Sequence, residues 1–194
     1  MTAKDKIKLL EAGVFVHREL LPVLCVGGTI AEIGVQHGHF FDCLMKAAPA
    51  KAYAIDAWEL ATTPGQDDAL LGQHRMREAR EAVQASYADN PAVHVVHGFS
   101  IPAAIGIPDE SLDLCYIDAD HTYEAVRADL AAWWPKVKRG GVLAGHDWTA
   151  REVIAPSGAR FGVTEAVAEF AEANGLKVYL TSESLYQTWI VVKP

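Results

Sequence analysis

The stretch Tyr116-Ile-Asp-Ala-Asp-His-Thr-Tyr123 ends an apolar run, Leu112 to Ile117, in two carboxylates and a histidine. Burying an ionisable group without a partner is costly, so a buried strand seldom ends on three of them unless they are solvated, paired or bound to a metal. A second apolar run, within Gly141 to Trp148, ends in the same way. The sequence therefore predicts that two neighbouring strand ends bring together Asp118, Asp120, His121, His146 and Asp147.

Composition and charge favour a single globular domain without a nucleic-acid partner. The 194 residues are 51% hydrophobic, which is enough for one well-buried core. The net charge of −8 and the scattered Lys and Arg residues argue against a nucleic-acid-binding surface. The chain starts without the apolar region of a secretion signal, and no run reaches the ~18 apolar residues of a membrane span. We therefore expect a cytoplasmic protein with neither nucleic acid nor a membrane as partner.

The hydrophobic period alternates along the chain between that of strands and that of helices. A helical segment, residues 1–28, precedes a core of residues 29–194 in which five strand-then-helix steps are followed by two closely connected strands. So short a connection suits an antiparallel pair. The predicted fold class is α/β, a Rossmann-like doubly wound sheet of seven strands, mostly parallel with one antiparallel strand near the C-terminus. The predicted strands are Thr29 to Ile33, Ala52 to Ile55, Val93 to Val96, Leu112 to Ile117, Val142 to Ala144, Lys177 to Leu180 and Thr188 to Val192.

The first strand leads into Glu32-Ile-Gly-Val-Gln-His-Gly38, at the edge of the sheet where such folds bind ligands. Gly34 and Gly38 would let the backbone approach a ligand where a Cβ would collide. The spacing differs from the G-x-G-x-x-G turn of pyrophosphate sites, so a nucleoside without phosphates fits better. Asp56 ends the second strand, where an acidic residue can bind ribose hydroxyls. Asp56 as a turn cap and Glu32 as a buried structural acid remain the alternatives.

From Thr29 to the C-terminus, the chain resembles class I S-adenosylmethionine-dependent methyltransferases. Glu32-x-Gly34-x-x-x-Gly38 resembles their first motif, and Asp56 resembles the acidic end of their second strand. His97-Gly-Phe-Ser100 resembles the turn that touches adenine in catechol O-methyltransferase-like enzymes. The resemblance implies S-adenosylmethionine as cofactor, and it implies the cofactor-binding residues Glu32, Gly34, Gly38, Asp56, Phe99, Ser100 and Asp118.

A narrower resemblance concerns the metal-dependent O-methyltransferase branch, which includes sugar methyltransferases. It depends on Ile117-Asp-Ala-Asp-His-Thr-Tyr-Glu124 together with Gly140-Gly141 and His146-Asp147. The resemblance implies a divalent metal on Asp118, His146 and Asp147, with Mg²⁺ favoured by the oxygen ligands. Because His146 stands where catechol O-methyltransferase-like enzymes have a carboxylate, Mn²⁺, Zn²⁺ and Fe²⁺ also suit the site.

Methyl transfer to a hydroxyl group releases a proton, and Asp120 and His121 are the two candidates for the catalytic base. His121 is preferred because histidine titrates nearest to neutral pH, and because it lies where catechol enzymes have a catalytic lysine. Asp120 has a second interpretation as a cap of the helix that begins at Tyr123, as does Thr122.

The function that the resemblance implies is metal-assisted O-methylation of a small hydroxylated acceptor by an S-adenosylmethionine-dependent enzyme. One alternative is an NAD(P)-dependent oxidoreductase, although the G-x-G-x-x-G turn is missing. Others are a metal-dependent hydrolase and a non-catalytic nucleoside-binding module. The acceptor depends on loops such as Glu59 to Gln73 and Ala150 to Gly162. Small enzymes of this kind often form a homodimer, which the sequence neither indicates nor opposes.

Overall fold

A computed structural model describes residues 1–59, 68–154, 158 and 160–194, with only the backbone of residues 68–71. Within the predicted loop at Glu59 to Gln73, residues 60–67 therefore lie outside the described residues. No described helix combines the length and the apolar character that crossing a membrane requires. The described strands are β1 (Thr29–Ile33), β2 (Lys51–Asp56), β3 (Val93–His97), β4 (Leu112–Ile117), β5 (Val137–Trp148), β6 (Tyr179–Leu180) and β7 (Gln187–Val192).

Helices cover both faces of the sheet. The α-helices are α1 (Ala3–Glu11), α2 (His39–Leu44), α3 (Asp68–Ser86), α4 (Ser100–Ile105), α5 (Tyr123–Trp133) and α6 (Val163–Ala173). In the described part of the chain, 3₁₀ helices cover Arg18–Cys25, Met45–Ala47 and Trp134–Lys136. The first of these packs with α2 on one face, whose core includes Leu21, Phe41 and Tyr116. The opposite face has a separate core, which includes Leu130, Trp133 and Val167 from α5 and α6.

The sheet confirms the predicted fold class. Its strand order is β3-β2-β1-β4-β5-β7-β6, and β7 runs antiparallel to both of its neighbours while the other pairs are parallel. The chain leaves β1 toward β2 on one side and later adds β4 on the other. This reversal opens a crevice at the carboxyl ends of β1 and β4, where doubly wound folds bind ligands.

Two strands differ from their predicted bounds by more than one residue at an end, whereas β2, β3 and β7 differ by no more than one. The fifth strand was predicted as Val142 to Ala144 but extends from Val137 to Trp148, so Gly140 and Gly141 lie inside it. Pairing with β4 on one side and β7 on the other supports this strand well beyond its apolar centre. The sixth is shorter than predicted, with only Tyr179 and Leu180, because it is an edge strand that pairs with β7 alone.

Candidate functional site

Glu32 is a buried acid near the end of β1. Its side chain is 2% exposed, and its Oε2 atom has no hydrogen-bond partner among the described residues. Burial and the nearby Asp118 raise its pKa well above the usual range, and the nearby cation Arg18 opposes this shift. A buried polar atom without a partner in the protein is rare. Glu32 is therefore well placed to bind a cationic group of a ligand.

Gly34 is required by the protein's own backbone. Its φ is +91°, and a Cβ at this position would lie 1.9 Å from the carbonyl oxygen of Asp118. The sequence prediction gave a different reason, namely close approach of a ligand. The loop after β1 instead passes so near the loop after β4 that no side chain fits between them. Gly38 (φ +84°) precedes α2, and a Cβ there would lie 3.1 Å from Val83 Cγ2.

The carboxylate of Asp56 organises the loops around it. It accepts hydrogen bonds from the backbone N–H groups of Gln36, at 2.7 Å, and of Trp58. Both donors have left-handed backbone conformations, with φ of 49° and 45° respectively. Asp56 thus caps these backbone N–H groups, as its interpretation as a turn cap predicts. Each carboxylate oxygen can accept a second hydrogen bond, so ribose binding stays a prediction for this residue.

Phe99 and Ser100 stand at the start of α4. The Phe99 ring is 60% exposed, which leaves it free to contact a ligand. The Ser100 hydroxyl instead donates to the carboxylate of Asp129, and it accepts a 2.8 Å hydrogen bond from Trp133 Nε1. The Ser100 side chain thus joins α4 to α5. Contact of these two residues with adenine remains a prediction.

The pH dependence of stability tests the buried contact between Ser100 and Asp129. Burial raises the pKa of Asp129 from 3.8 to about 6, although the Ser100 hydroxyl opposes this shift. The raised pKa favours the protonated carboxyl, so its contribution to stability is complete below about pH 3.8 and is lost as the pH rises through about 6. Asp129→Asn is neutral at every pH. We expect the variant to exceed the wild type in unfolding free energy by about 2 to 3 kcal/mol at pH 7.5.

Urea denaturation at a series of pH values measures this difference. The unfolding free energies of Asp129→Asn and the wild type should become equal as the pH falls toward about 4. The matched control is Asp89→Asn, which alters an exposed carboxylate and should leave the unfolding free energy unchanged. A difference between Asp129→Asn and the wild type that does not vary with pH would contradict the assignment of this pKa.

Three side chains converge at the ends of β4 and β5. Asp118, His121 and Asp147 each offer a ligand atom, and these atoms all lie within 4.8 Å of one another. His121 Nε2 lies 2.9 Å from Asp147 Oδ2 and 3.4 Å from Asp118 Oδ1. Burial opposes protonation of His121, but its hydrogen bonds to the two carboxylates prevail and raise its pKa to about 10. Burial likewise opposes ionisation of Asp147, while His121 and His146 hold its pKa well below the usual range.

The backbone of β5 is irregular where it presents Asp147. The pairing of β5 with β7 shifts register between Gly145 and Trp148, and Asp147 has a φ of 60°. A non-glycine residue with this conformation is uncommon, and such residues are frequent at functional sites. Bulges in edge-proximal strands re-aim side chains in the same way. The irregularity turns Asp147, which is only 8% exposed, toward His121.

The structure groups His121, rather than His146, with the two carboxylates. His146 Nδ1 lies 3.4 Å from Asp147 Oδ2, but His146 is not a member of the three-residue group. Successive strand residues point in different directions, whereas His121 lies on the loop after β4 that folds back over Asp147. The predicted metal ligands Asp118, His146 and Asp147 thus stay a prediction, and the structure adds His121 as a second candidate for the nitrogen ligand.

The two candidate bases occupy different surroundings. Asp120 is exposed, and its Oδ1 accepts a 2.8 Å hydrogen bond from the backbone N–H of Thr122. Thr122 precedes α5, but its side chain forms no capping hydrogen bond. Asp120 thus holds the loop before α5. The pKa of about 10 at His121 departs from the near-neutral value on which the sequence prediction relied, so the imidazole carries a proton at neutral pH unless a cation displaces it.

Two contributors to the site were missed in the sequence. Arg18 reaches from the N-terminal segment to Asp118, with 3.4 Å between Nη1 and Oδ2. Phe161 stacks on the His121 ring, with 4.7 Å between ring centroids. The sequence held a signal for Arg18, because His17, Arg18 and Glu19 form a polar triplet inside an otherwise apolar segment.

The strand order and the acids at the strand ends define a doubly wound α/β domain with a polar site at the carboxyl edge of its sheet. A sequence model described as a methyltransferase domain matches residues 31–148, more than half of the chain. The chain belongs to this family of methyltransferase domains. A curated relative, the uncharacterized protein y4gI of Sinorhizobium fredii, is 27% identical over 147 residues. The match covers 73% of this chain but spans only 15% of that much longer relative.

Solved structures with the same fold include several methyltransferases. A SAM-dependent methyltransferase from Aquifex aeolicus matches over the full length of both chains, with 17% identity and a TM-score of 0.57. An O-methyltransferase family protein from Burkholderia thailandensis is 13% identical with a TM-score of 0.62, covering 98% of this chain and 57% of that one. Spermidine synthase from Thermotoga maritima is 15% identical with a TM-score of 0.56, covering 95% and 59%. At these identities, the likeness concerns the fold alone.

Proposed function

We propose that this chain transfers the methyl group of S-adenosylmethionine to a hydroxyl oxygen of a small acceptor, with the help of a divalent metal ion. The observation that carries the proposal is Glu32, a buried carboxylate beside the loop of Gly34 with one oxygen that finds no partner in the described part of the chain. An ammonium group satisfies such an oxygen, and the amino acid end of S-adenosylmethionine supplies one. Family membership favours a methyltransferase over the oxidoreductase, the hydrolase and the non-catalytic module.

The remaining cofactor assignments follow the carboxyl edge of the sheet. Asp56 has acceptor capacity left for ribose hydroxyls, and the exposed Phe99 ring can cover adenine. Gly34 and Gly38 shape the loop under the amino acid end. Asp118 lies between this region and His121, since Oδ2 contacts Arg18 and Oδ1 contacts His121. When bound, S-adenosylmethionine supplies an electrophilic methyl group on a positively charged sulfur.

The strand-end cluster fits a divalent metal ion. Asp118 and Asp147 offer the carboxylate oxygens that Mg²⁺ and Mn²⁺ prefer, and His121 offers an imidazole nitrogen that suits Mn²⁺ better than Mg²⁺. The protonated His121 now bridges the two carboxylates, as a cation would. A bound metal would lower the pKa of an acceptor hydroxyl and fix its orientation. A His121 nitrogen bound to the ion would have no lone pair left for a proton, so Asp120 would be the base in that case; His121 would be the base if Asp118 and Asp147 held the ion without it.

A cavity of about 380 Å³ beside Asp147 is the proposed acceptor site. Its lining includes Arg151, Phe161 and Thr164, so it combines an aromatic surface with polar groups. Cavities of roughly 300 to 1,000 Å³ are typical of small-molecule sites. The net charge of −8 argues against a nucleic acid acceptor. These features support a small hydroxylated acceptor.

Calorimetry with S-adenosylhomocysteine tests the cofactor assignment. The wild type should bind it, and Glu32→Gln should weaken binding by about 10- to 100-fold because a charged hydrogen bond to the ammonium group is lost. The unfolding free energy of Glu32→Gln should stay equal to that of the wild type or rise, since an uncompensated buried acid is removed. Glu172→Gln, which alters an exposed acid of α6, is the control and should bind like the wild type.

A methyl-transfer assay tests the reaction. The wild type, supplied with S-adenosylmethionine carrying a labelled methyl group, is screened against sugars, catechols and small polyols, with Mg²⁺ or Mn²⁺ and with excess chelator. We expect labelled ether products that depend on the metal. Full turnover in excess chelator would contradict metal assistance, and tight S-adenosylhomocysteine binding without transfer to any acceptor would favour the non-catalytic module.

A further inference from the structure

Arg18 is held in a defined position at the carboxyl ends of β1 and β4. Its backbone N–H donates to Glu183 Oε1 at 3.2 Å, which ties the N-terminal segment to the loop between β6 and β7. Its guanidinium carbon lies 4.7 Å from the centroid of the Phe40 ring, a distance typical of a cation–π contact. Arg18 therefore differs from a surface arginine that moves freely.

The guanidinium of Arg18 has unused donors. Its hydrogen bonds within the described part of the chain both use Nη1, at 3.5 Å from Tyr116 Oη and 3.4 Å from Asp118 Oδ2. Charge-assisted N–H···O bonds are usually about 2.7 to 2.9 Å long, so these two are weak. The side chain is 28% exposed. The remaining N–H groups are therefore available to a ligand, and a guanidinium can bind a carboxylate through two parallel hydrogen bonds.

Arg18 and Glu32 lie on the same face of the sheet. Glu32 is the direct register partner of Tyr116 on the neighbouring strand, and Tyr116 Oη contacts Arg18. Phe40 packs on Tyr116, with 4.2 Å between ring centroids, and so closes this face around the pair. A single guanidinium and a buried carboxylate at one strand end match the two charges of an α-amino acid.

We infer that Arg18 binds the carboxylate of the amino acid end of S-adenosylmethionine while Glu32 binds its ammonium group, so that the chain selects donors that retain this carboxylate. The inference rests on the proposed function. It assigns a specificity-determining role to a residue outside the stretch 31–148 that matches the methyltransferase domain family.

Comparison of two ligands in calorimetry tests this role. S-adenosylhomocysteine and its decarboxylated analogue differ only in the carboxylate. The wild type should prefer S-adenosylhomocysteine by about 10- to 100-fold, and Arg18→Met should reduce this preference to about twofold or less while its affinity for the analogue stays near the wild-type value. Arg18→Lys, which keeps the charge but not the fork of donors, should show an intermediate preference. Arg139→Met, at an exposed arginine near the amino end of β5, is the matched control and should behave as the wild type.

The outcomes separate the inference from the proposed function. Thermal denaturation first establishes that each variant is folded. If Arg18→Met weakens both ligands equally, Arg18 only supports the shape of the site and the inference is overturned. An undiminished preference in Arg18→Met would overturn it as well, because another group would then recognise the carboxylate. If the wild type fails to bind S-adenosylhomocysteine at all, the proposed function is wrong and the inference falls with it.

Discussion

Asp147→Asn is expected to lower the rate of methyl transfer about 100- to 1,000-fold while leaving the affinity for S-adenosylhomocysteine nearly unchanged. Asp147 is 8% exposed and lies 2.9 Å from His121 Nε2. Asparagine keeps the shape of this side chain and removes its charge. The variant therefore loses one carboxylate of the proposed metal site and the main anionic partner of His121, without altering the loop that follows β1.

Initial rates with a fixed acceptor and a titration of Mn²⁺ measure this effect. The concentration of Mn²⁺ that gives half the maximal rate should rise, and the pKa of His121, followed by NMR, should fall below about 10. The control is Asp109→Asn. Asp109 is an exposed residue of the loop that precedes β4, and its carboxylate pairs with Lys136. Methyl transfer by Asp147→Asn at the wild-type rate, with the same metal dependence, would remove Asp147 from the site.

Gly34→Ala is expected to destabilise the protein by about 3 to 5 kcal/mol and to abolish S-adenosylhomocysteine binding. The new Cβ would lie 1.9 Å from the carbonyl oxygen of Asp118 and 2.8 Å from Ala119 Cα, and both neighbours are backbone atoms. The loops after β1 and β4 would have to separate. This separation would move Glu32 and Asp118 apart at the place proposed for the amino acid end of the cofactor.

Urea denaturation and calorimetry test this prediction, with Gly175→Ala as a control. Gly175 also has a positive φ, of 63°, but a Cβ there meets no atom within 4 Å. Gly175→Ala therefore measures the cost of the left-handed backbone alone, about 1 to 2 kcal/mol. Equal destabilisation by the two substitutions would show that the contact between the loops relaxes easily and would contradict the prediction.

The sequence alone determined the architecture and the edge of the sheet that carries the site. The alternation of strand and helix periods reflects burial of a parallel sheet on both faces, and this local pattern predicted seven strands with one antiparallel strand near the C-terminus, which the structure shows to be β7. Parallel strands share one carboxyl edge, so acids that follow apolar strands were expected to gather there. Asp118 and Asp147 do gather there, at the ends of β4 and β5. The hydrophobic pattern does not show which strands pair with each other. Pairing decides where β5 and β6 begin and end, so their predicted bounds were wrong.

The tertiary structure decided which of these polar groups face one another. The loop after β4 and the irregular end of β5 place His121 against both carboxylates, whereas His146 lies 3.4 Å from Asp147, and the spacing of residues along the chain could not predict this arrangement. Packing of α4 on α5 engages Ser100 with Asp129. The N-terminal segment brings Arg18 to Asp118, far away in sequence. Strand periodicity is local and can be read from neighbouring residues, whereas side-chain partners depend on how distant segments pack, which only the folded chain fixes.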